Sequence, residues 1–467
     1  MTVSQTELGR QRAADLHEDL RVGDCHEGAG REAPSAAGPQ AAPARASAGA
    51  SPAAWTLGRP PADYTIRHVR AVLADRILDD AEAVVRDGRI AAVRARGSRS
   101  IATGGASSGG ERIVVDGRGL LLAPGFIDVH SDALEKEQRP RPNAEMPAEF
   151  ALASFEGRAA GAGITTMFHG AGFQHQVARG NARSVRSALR TCAVVDGIAS
   201  DRMDHRVLHR LDILSEEGAA ALRERLGSRP AGAVLLVSHE DHTPGQGQYA
   251  DPAYMRDYLI SADGMTEAEA DERLVRLERE GREKAAVREA NFAWLGELAA
   301  AGRIRLLGHD PDSAAAVEAL HARGGAVAEF PTTLEAAVRA RELGMPIVAG
   351  GPNAVRGQSH SGNVSVRELV AAGLVDALAS DYMPTTLLAG VHVLVRGGVL
   401  DLPQALRLIT EGPARVAGLH DRGRLEEGLR ADFALVDDRL GAWPRVAGTL
   451  LSAGTGTDAA ETAEAGA

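Results

Sequence analysis

The amino-acid sequence predicts an α/β fold, a (β/α)8 barrel with a small β-sandwich domain built from both ends of the chain. This prediction rests mainly on two apolar segments, because each has the composition of a buried strand and ends in one or two potential metal ligands. The first is Pro124-Gly-Phe-Ile-Asp-Val-His-Ser-Asp132, and the second is Val375-Asp-Ala-Leu-Ala-Ser-Asp381. Strand-like and helix-like segments alternate between them, and barrels of this kind carry their functional residues at the carboxyl ends of the strands.

The alternation is most regular between residues 303 and 350. Strands are predicted at 303–309, 326–330 and 345–350, and helices at 313–323 and 332–343. Thr332 and Glu335 fit a capping box, in which a hydroxyl and a carboxylate bind the free amides at a helix N-terminus. The connections are only a few residues long, which is typical of parallel β/α units.

Residues 266–300 are richly charged and predicted to be helical, with Thr266 and Glu269 as another capping box. We interpret them as a helical insertion, or an elongated barrel helix, after a strand near 233–238. A coiled coil is the alternative, but the apolar heptads that it requires are not sustained.

Short strands and turns flank the alternating region at both ends. The pair Asp87-Gly88 between two apolar runs predicts a β-hairpin. We therefore expect residues 61–121 and 419–451 to form the sandwich and residues 122–418 to form the barrel. The N-terminal extension, 1–60, and the tail, 452–467, are predicted to be disordered, because Ala, Gly and other small residues dominate much of their sequence.

Composition narrows the class of protein. The formal net charge of −11 argues against a nucleic-acid partner. The only two cysteines, Cys25 and Cys192, are far apart in sequence and cannot make a thiolate zinc site alone. No apolar run reaches the roughly 18 residues of a membrane span, and the N-terminus lacks the apolar core of a signal peptide. We expect a cytoplasmic protein with no membrane partner, and a homo-oligomer is compatible with the sequence.

Five segments place an imidazole or a carboxylate just past an apolar strand. The predicted metal ligands are His130, Asp132, Asp212, His242, His309 and Asp381. Each of them alone has an ordinary explanation as a hydrogen-bonded histidine or a helix cap, but five such coincidences favour a metal centre. These ligand types suit Zn²⁺, with Mn²⁺ or Fe²⁺ as alternatives. His205, His209 and His239 compete locally for the same role.

A second group of residues suits the binding of an anion. Basic residues follow the first ligand pair, and a loop of small, hydroxyl and amide residues, 352–363, follows the seventh predicted barrel strand. Guanidinium groups and backbone amides of this kind bind phosphate oxygens. The predicted substrate-binding residues are Lys136, Arg139, Arg141, Gln246, Asn353, Arg356, His360 and Asn363. For any single arginine, a solvated surface position is the simpler explanation.

These motifs resemble a known family. The first strand, the final Ser-Asp and the split sandwich are similar to the amidohydrolase superfamily. The more specific motifs resemble its diphosphatases of the carbon–phosphorus lyase pathway, and the resemblance runs from about residue 64 to 440. Those motifs are His130-Ser-Asp-Ala-Leu-Glu-Lys136, Arg139-Pro-Arg-Pro142, Asp241-His-Thr-Pro-Gly-Gln246, Gly308-His-Asp310, Ala328-Glu-Phe-Pro-Thr-Thr333, Gly351-Pro-Asn-Ala-Val-Arg-Gly357, Ser359-His-Ser-Gly-Asn363 and Ser380-Asp-Tyr382.

The sequence also departs from that family at three positions. Ala133 stands where the family carries Asn, and Asp212 stands where a Glu is expected, so a ligand there is one methylene shorter. His209 is shifted by one position from the family's local histidine, which leaves its role open.

The resemblance implies hydrolysis of α-D-ribose 1-methylphosphonate 5-triphosphate to the 5-phosphate and pyrophosphate, with a divalent metal as cofactor and a small phosphorylated molecule as substrate. Asp381 would be the catalytic proton acceptor. Two alternatives remain at this stage. The same ligands would serve hydrolysis of a C–N bond in a deaminase or an amidase, and a non-catalytic scaffold of a phosphonate-processing assembly is the other.

Overall fold

The computed structural model describes residues 60–97, 113–141, 143–174, 183–230, 234–261, 264–359, 362–439 and 441–452. The predicted disordered extension, 1–60, lies outside the described residues except for Pro60. The predicted tail, 452–467, lies outside them except for Ser452.

The described chain folds into a parallel barrel and a separate mixed sheet. Its strands are β1 (Tyr64–Val72), β2 (Ile77–Arg86), β3 (Arg89–Ala95), β4 (Val114–Asp116), β5 (Leu121–Pro124), β6 (Phe126–Ser131), β7 (Ile164–Phe173), β8 (Asp204–Asp212), β9 (Leu235–Glu240), β10 (Ile304–His309), β11 (Gly325–Glu329), β12 (Ile347–Gly350), β13 (Ala377–Ala379), β14 (Phe433–Asp437) and β15 (Arg445–Leu450). Its helices are α1 (Ala133–Gln138), α2 (Ala148–Gly161), α3 (Val185–Gly197), α4 (Glu216–Gly227), α5 (Pro252–Ser261), α6 (Glu267–Glu283), α7 (Ala285–Ala300), α8 (Ala314–Ala322), α9 (Leu334–Glu342), α10 (Gly351–Arg356), α11 (Val366–Ala371), α12 (Thr386–Arg396), α13 (Leu402–Arg407) and α14 (Glu411–Ala417).

Strands β6 to β13 form the predicted eight-stranded parallel barrel, in sequence order. Its two ends meet through a parallel bridge between Ser131 and Asp381. There the amide of Asp132 donates to the carbonyl of Asp381 (2.6 Å), and the amide of Asp381 donates to the carbonyl of His130 (3.0 Å). The bridge therefore fixes the backbone of three predicted ligands.

Alternate residues of the barrel strands fill its interior. This apolar cluster includes Ile127, Val129, Phe168, Leu208, Leu236, Leu307, Val327 and Val348, together with residues of α14. A larger cluster packs the outer face of the barrel against the surrounding helices. Because successive side chains on a strand point to opposite faces, each strand carries one row of residues into the barrel and another toward the helices.

The small β domain is built from both ends of the chain, as predicted. Strands β1 to β5 join β14 and β15 in one seven-stranded mixed sheet, with an apolar cluster of its own. Asp87 and Gly88 form the predicted hairpin turn between β2 and β3, and both have positive φ angles, 50° and 72°. This pair of angles is the one that a type I′ hairpin turn requires.

The helical insertion is also present. Thr266 and Glu269 make the predicted capping box at the start of α6. The second predicted box, Thr332 with Glu335, is wrong, because the cap of α9 is the next residue, Thr333. Glu335 accepts instead from the amide of Ala314 (3.2 Å) at the start of the neighbouring helix. No helix in the described part of the chain combines the length and the apolar composition needed to cross a membrane.

Candidate active site

The carboxyl ends of the barrel strands open into one large cavity of about 960 Å³. All six predicted metal ligands line it: His130, Asp132, Asp212, His242, His309 and Asp381. The three competing histidines do not. His205 and His209 alternate with the inward-facing residues of β8 and bind other groups, His169 (2.9 Å) and the Leu236 carbonyl (3.1 Å) respectively. The period-two geometry of strands thus separates the two sets of histidines.

A buried carboxylate behind the cavity holds two of the imidazoles. Glu329, at the end of β11, binds Nδ1 of His130 (2.8 Å) with one oxygen and Nδ1 of His309 (2.9 Å) with the other. The hydroxyl of Ser238 also donates to Glu329 (2.6 Å). Burial alone would raise the pKa of Glu329, but the charge of His130 and the bonds from both rings hold it well below its usual range. Both rings are fixed with Nε2 directed away from Glu329.

Asp132 is held by two guanidinium groups on one of its oxygens. Arg183 (2.7 Å) and Arg210 both donate to Oδ2. Burial opposes the charged form of Asp132, yet Arg210 and Arg183 keep its pKa well below the usual range. Its other oxygen, Oδ1, is buried, lacks a hydrogen-bond partner in the described part of the chain and lies 3.8 Å from Nε2 of His130. A buried carboxylate oxygen without a partner is the position that a cation would satisfy.

Three groups of side chains could each hold a metal ion, with their ligand atoms within 4.8 Å of one another. They are His130, Asp132 and Asp381; His242, His309 and Asp310; and His130, His309 and Glu329. Burial opposes the charged form of His309, yet Asp310 and the bond to Glu329 raise its pKa to about 9. Asp310 and Glu329 therefore place negative charge beside His309, which a bound cation can offset. The donor set of imidazoles and carboxylates fits a divalent ion.

Asp212 and Asp381 differ in their surroundings. Asp212 lines the cavity but belongs to none of the three ligand groups, and its Oδ1 accepts from the amide of Leu214 (3.0 Å). Burial raises the pKa of Asp212 to about 6. Asp381 has a positive φ of 55°, and burial followed by the charge of Asp132 raises its pKa. The assignment of Asp212 as a ligand stays a prediction.

The predicted substrate-binding residues are spread over several places. Asn353, Arg356 and Asn363 line the main cavity, whereas Arg141 and Gln246 are not among its lining residues. The Lys136 ammonium lies 4.6 Å from the ring centre of Tyr382, which lines the cavity, and Arg139 pairs with Glu145 (3.4 Å) beside a smaller cavity. His360 lies outside the described residues.

The side-chain amide of Asn353 makes two local hydrogen bonds. It donates to the carbonyl of Val364 (3.3 Å) and accepts from the amide of Val366 (3.1 Å). Asn353 thereby holds the loop that precedes α11 against α10, on the same side of the cavity as Arg356.

The structure assigns site roles that the sequence did not predict. Glu329 and Asp310 belong to the ligand groups, Arg183 and Arg210 hold Asp132, and Glu240 binds Arg210 and accepts from Gln174 (3.1 Å). Glu329 and Glu240 each end a barrel strand. That position is the signal that could have found them, since the six predicted ligands were selected by it.

Comparisons with known proteins agree with this geometry. A family model described as amidohydrolase family matches residues 304–449. The α-D-ribose 1-methylphosphonate 5-triphosphate diphosphatase of Escherichia coli (strain K12) is 37% identical over 330 residues, which cover 69% of this chain and 84% of the relative.

Two solved structures share the fold at low identity. An enamidase matches with a TM-score of 0.52 at 15% identity, over 83% of this chain and 94% of that one. A triazine hydrolase variant matches with a TM-score of 0.51 at 16% identity, over 80% and 86% of the two chains.

The match to the diphosphatase and the match to the family model identify the chain as a hydrolase. The chain belongs to the amidohydrolase family.

Proposed function

We propose that the protein hydrolyses α-D-ribose 1-methylphosphonate 5-triphosphate to the 5-phosphate and pyrophosphate, with the help of a divalent metal ion. The observation that carries the proposal is one cavity that joins His/Asp ligand groups to cationic side chains. A phosphoric anhydride needs both, because negative charge grows on its oxygens during cleavage. The relative from Escherichia coli is named for this substrate and reaction.

The metal would be held by His130, Asp132 and Asp381, by His242, His309 and Asp310, or by both groups. Zn²⁺ is the ion we expect, with Mn²⁺ or Fe²⁺ as alternatives. When bound, such an ion makes water more acidic and offsets charge on phosphoryl oxygens.

The chain's own residues orient these ligands and move the proton. Glu329 sets the tautomer and the direction of two imidazoles, and Arg210 fixes Asp132. Asp381 accepts the proton of the attacking water, because its carboxylate lies at the cavity beside the ligand group of His130 and Asp132. Asp381→Asn keeps the shape and loses the strong base, so kcat is expected to fall about 10²- to 10⁴-fold. Near-normal turnover of that variant would refute the role.

Arg356 is our candidate for binding the polyphosphate. It lines the cavity at the end of α10, and its guanidinium makes no side-chain hydrogen bond or ion pair with another described residue. Arg356→Ala should raise KM for the triphosphate far more than for an uncharged ester or amide, because the lost contact is to charge. An equal effect on charged and uncharged substrates would favour the C–N bond alternative. The non-catalytic scaffold is not favoured, since the chain belongs to a family of hydrolases.

A further inference from the structure

The helical insertion turns a charged face toward the active-site cavity. Six charged residues of this face line the cavity and are spaced mostly three or four positions apart, namely Glu269, Glu272, Arg273, Arg276, Glu280 and Lys284. Residues three or four apart share one side of a helix, so the set is a continuous strip along α6 and its C-terminus. Glu269, Glu272 and Arg276 of this strip are exposed, and the buried Leu277 of the same helix also lines the cavity. The strip therefore presents charged side chains that a polar ligand in the open cavity can contact.

Two cations in this strip are available to a ligand. Arg276 and Lys284 make no side-chain hydrogen bond and no ion pair within 4.0 Å with any other described residue. Other arginines of the same helix are engaged, since Arg282 pairs with Glu278 (3.8 Å) and Arg279 with Glu283 (3.8 Å). In the cavity wall, Arg183 and Arg210 are likewise bound to carboxylates. Like Arg356, Arg276 and Lys284 make no side-chain hydrogen bond or ion pair within the part of the chain that the structure describes, and the charge of Lys284 acts on Asp212 at longer range.

The helical insertion and the helix that carries Arg356 are attached to opposite sides of the barrel mouth. The insertion is anchored beside β8 and β9, because Asn291 of α7 donates to the carbonyl of Ile213 (3.0 Å) and Arg288 pairs with Asp241 (3.1 Å). Arg356 ends α10, which directly follows β12. In the barrel, β9, β10 and β11 separate β8 from β12 on one side, and β13, β6 and β7 separate them on the other. His130, His309 and Asp381 lie on or directly after strands that separate these two places.

We propose that Arg276 and Lys284 bind the phosphonate end of the substrate, while Arg356 binds the polyphosphate end. This inference rests on the proposed function and deepens it. A cavity with cations at both ends and ligand groups between them fits a molecule that is anionic at both ends. Glu272 and Glu280 flank Arg276 on the same strip, and carboxylates accept hydrogen bonds from sugar hydroxyls. A ribose phosphonate has both hydroxyls and an anionic group that can bind to this charged strip.

Steady-state kinetics with two substrates test the assignment. The substrates are α-D-ribose 1-methylphosphonate 5-triphosphate and D-ribose 5-triphosphate, which lacks the phosphonate. Arg276→Gln should raise KM about tenfold or more for the first and less than about twofold for the second. Arg282→Gln is the matched control, an exposed arginine of the same helix that does not line the cavity, and it should change neither value. Equal effects of Arg276→Gln on both substrates, or no effect on either, would overturn the inference.

A binding measurement separates this inference from the proposed function. If the wild-type protein releases no pyrophosphate, the proposed function is wrong. Calorimetric titration with α-D-ribose 1-methylphosphonate 5-phosphate still tests whether Arg276 and Lys284 bind the phosphonate. Weaker binding to Arg276→Gln than to Arg282→Gln supports the phosphonate site. Equal binding to the two variants, or no binding to the wild type, overturns it.

Discussion

Glu329 shows how much of the site depends on one buried residue. Its two oxygens bind the rings of His130 and His309, and the hydroxyl of Ser238 supports one of them. Carboxylates in this position fix the ring orientation and the tautomer of metal-binding histidines. The stacking of the two rings, 5.5 Å apart and 17° from parallel, follows from the shared partner.

Glu329→Gln should therefore damage metal binding as well as turnover. The amide nitrogen of Gln would face an Nδ1 donor, so one of the two rings must lose its bond or change its tautomer. We expect metal affinity to fall about 10- to 100-fold. Metal titration of the purified variant measures this, with Ser238→Ala as a milder control because it leaves both histidine bonds in place. Unchanged affinity in Glu329→Gln would contradict the positioning role.

Substitution of Gly170 tests whether the position of the Asp132 carboxylate matters for function. A Cβ atom built there would overlap Oδ1 of Asp132 and approach the Arg210 side chain, so Gly170→Ala must displace the carboxylate. Activity and metal content should fall while the fold persists. Gly157→Ala is the control, since its Cβ meets nothing within 4 Å inside α2, and it should be neutral or stabilise by up to about 1 kcal/mol. Full activity of Gly170→Ala would show that catalysis does not depend on the position of the Asp132 carboxylate.

The two ends of the barrel carry different sets of polar groups. The carboxyl end carries the ligand groups, whereas the amino end carries a buried ion-pair network around Arg422. Its guanidinium donates to Asp204 (2.6 Å), to the hydroxyl of Thr166 (2.9 Å) and to Asp421 (2.8 Å), near the starts of β7 and β8. Polar groups at this end of a barrel serve stability.

Arg422→Met should destabilise the protein without changing kcat. Removing the guanidinium leaves Asp204 buried with Arg206 as its remaining partner (3.1 Å), at a cost of about 3 kcal/mol. Denaturant unfolding measures the loss. Arg424→Met, at a half-exposed position, should cost less than about 1 kcal/mol. If kcat of Arg422→Met falls under conditions where the variant is fully folded, the amino end of the barrel also contributes to catalysis.

Much of this architecture is predictable from local sequence. The hairpin at Asp87-Gly88 and the capping box at Thr266 depend on neighbouring residues, and both are present. The predicted box at Thr332 is absent because tertiary contacts decide it. Glu335 accepts from the amide at the start of the preceding helix, and Thr333 is the N-cap. The roles of Glu329 and Arg210 could not be predicted in the same way, since their partners lie on other strands.

For the molecule as a whole, the barrel and the small sheet form from the chain between residues 60 and 452. Both ends of this stretch contribute to the mixed sheet, where β14 pairs with β5. The barrel is thereby enclosed in sequence by the small domain, which explains why a family resemblance from about residue 64 to 440 covers both.

Residues 1–59 should be dispensable for the fold and the chemistry, because Ala, Pro, Gly and Ser dominate 33–54 and apolar anchors are few. A protein that starts at Pro60 is expected to keep a cooperative unfolding transition and the turnover of the full chain. Thermal unfolding and kinetics of the shortened protein test this. Loss of the transition would assign the extension a structural role.

The proposed reaction of this cavity is the cleavage of a phosphoric anhydride. The most direct measurement is product analysis after incubation of the purified full-length protein, loaded with Zn²⁺ or Mn²⁺, with α-D-ribose 1-methylphosphonate 5-triphosphate. We predict one pyrophosphate and one 5-phosphate per substrate consumed, with the activity lost on chelation and restored by the metal. Release of single phosphates in place of pyrophosphate, or activity only on C–N substrates with release of ammonia or an amine, would contradict the account.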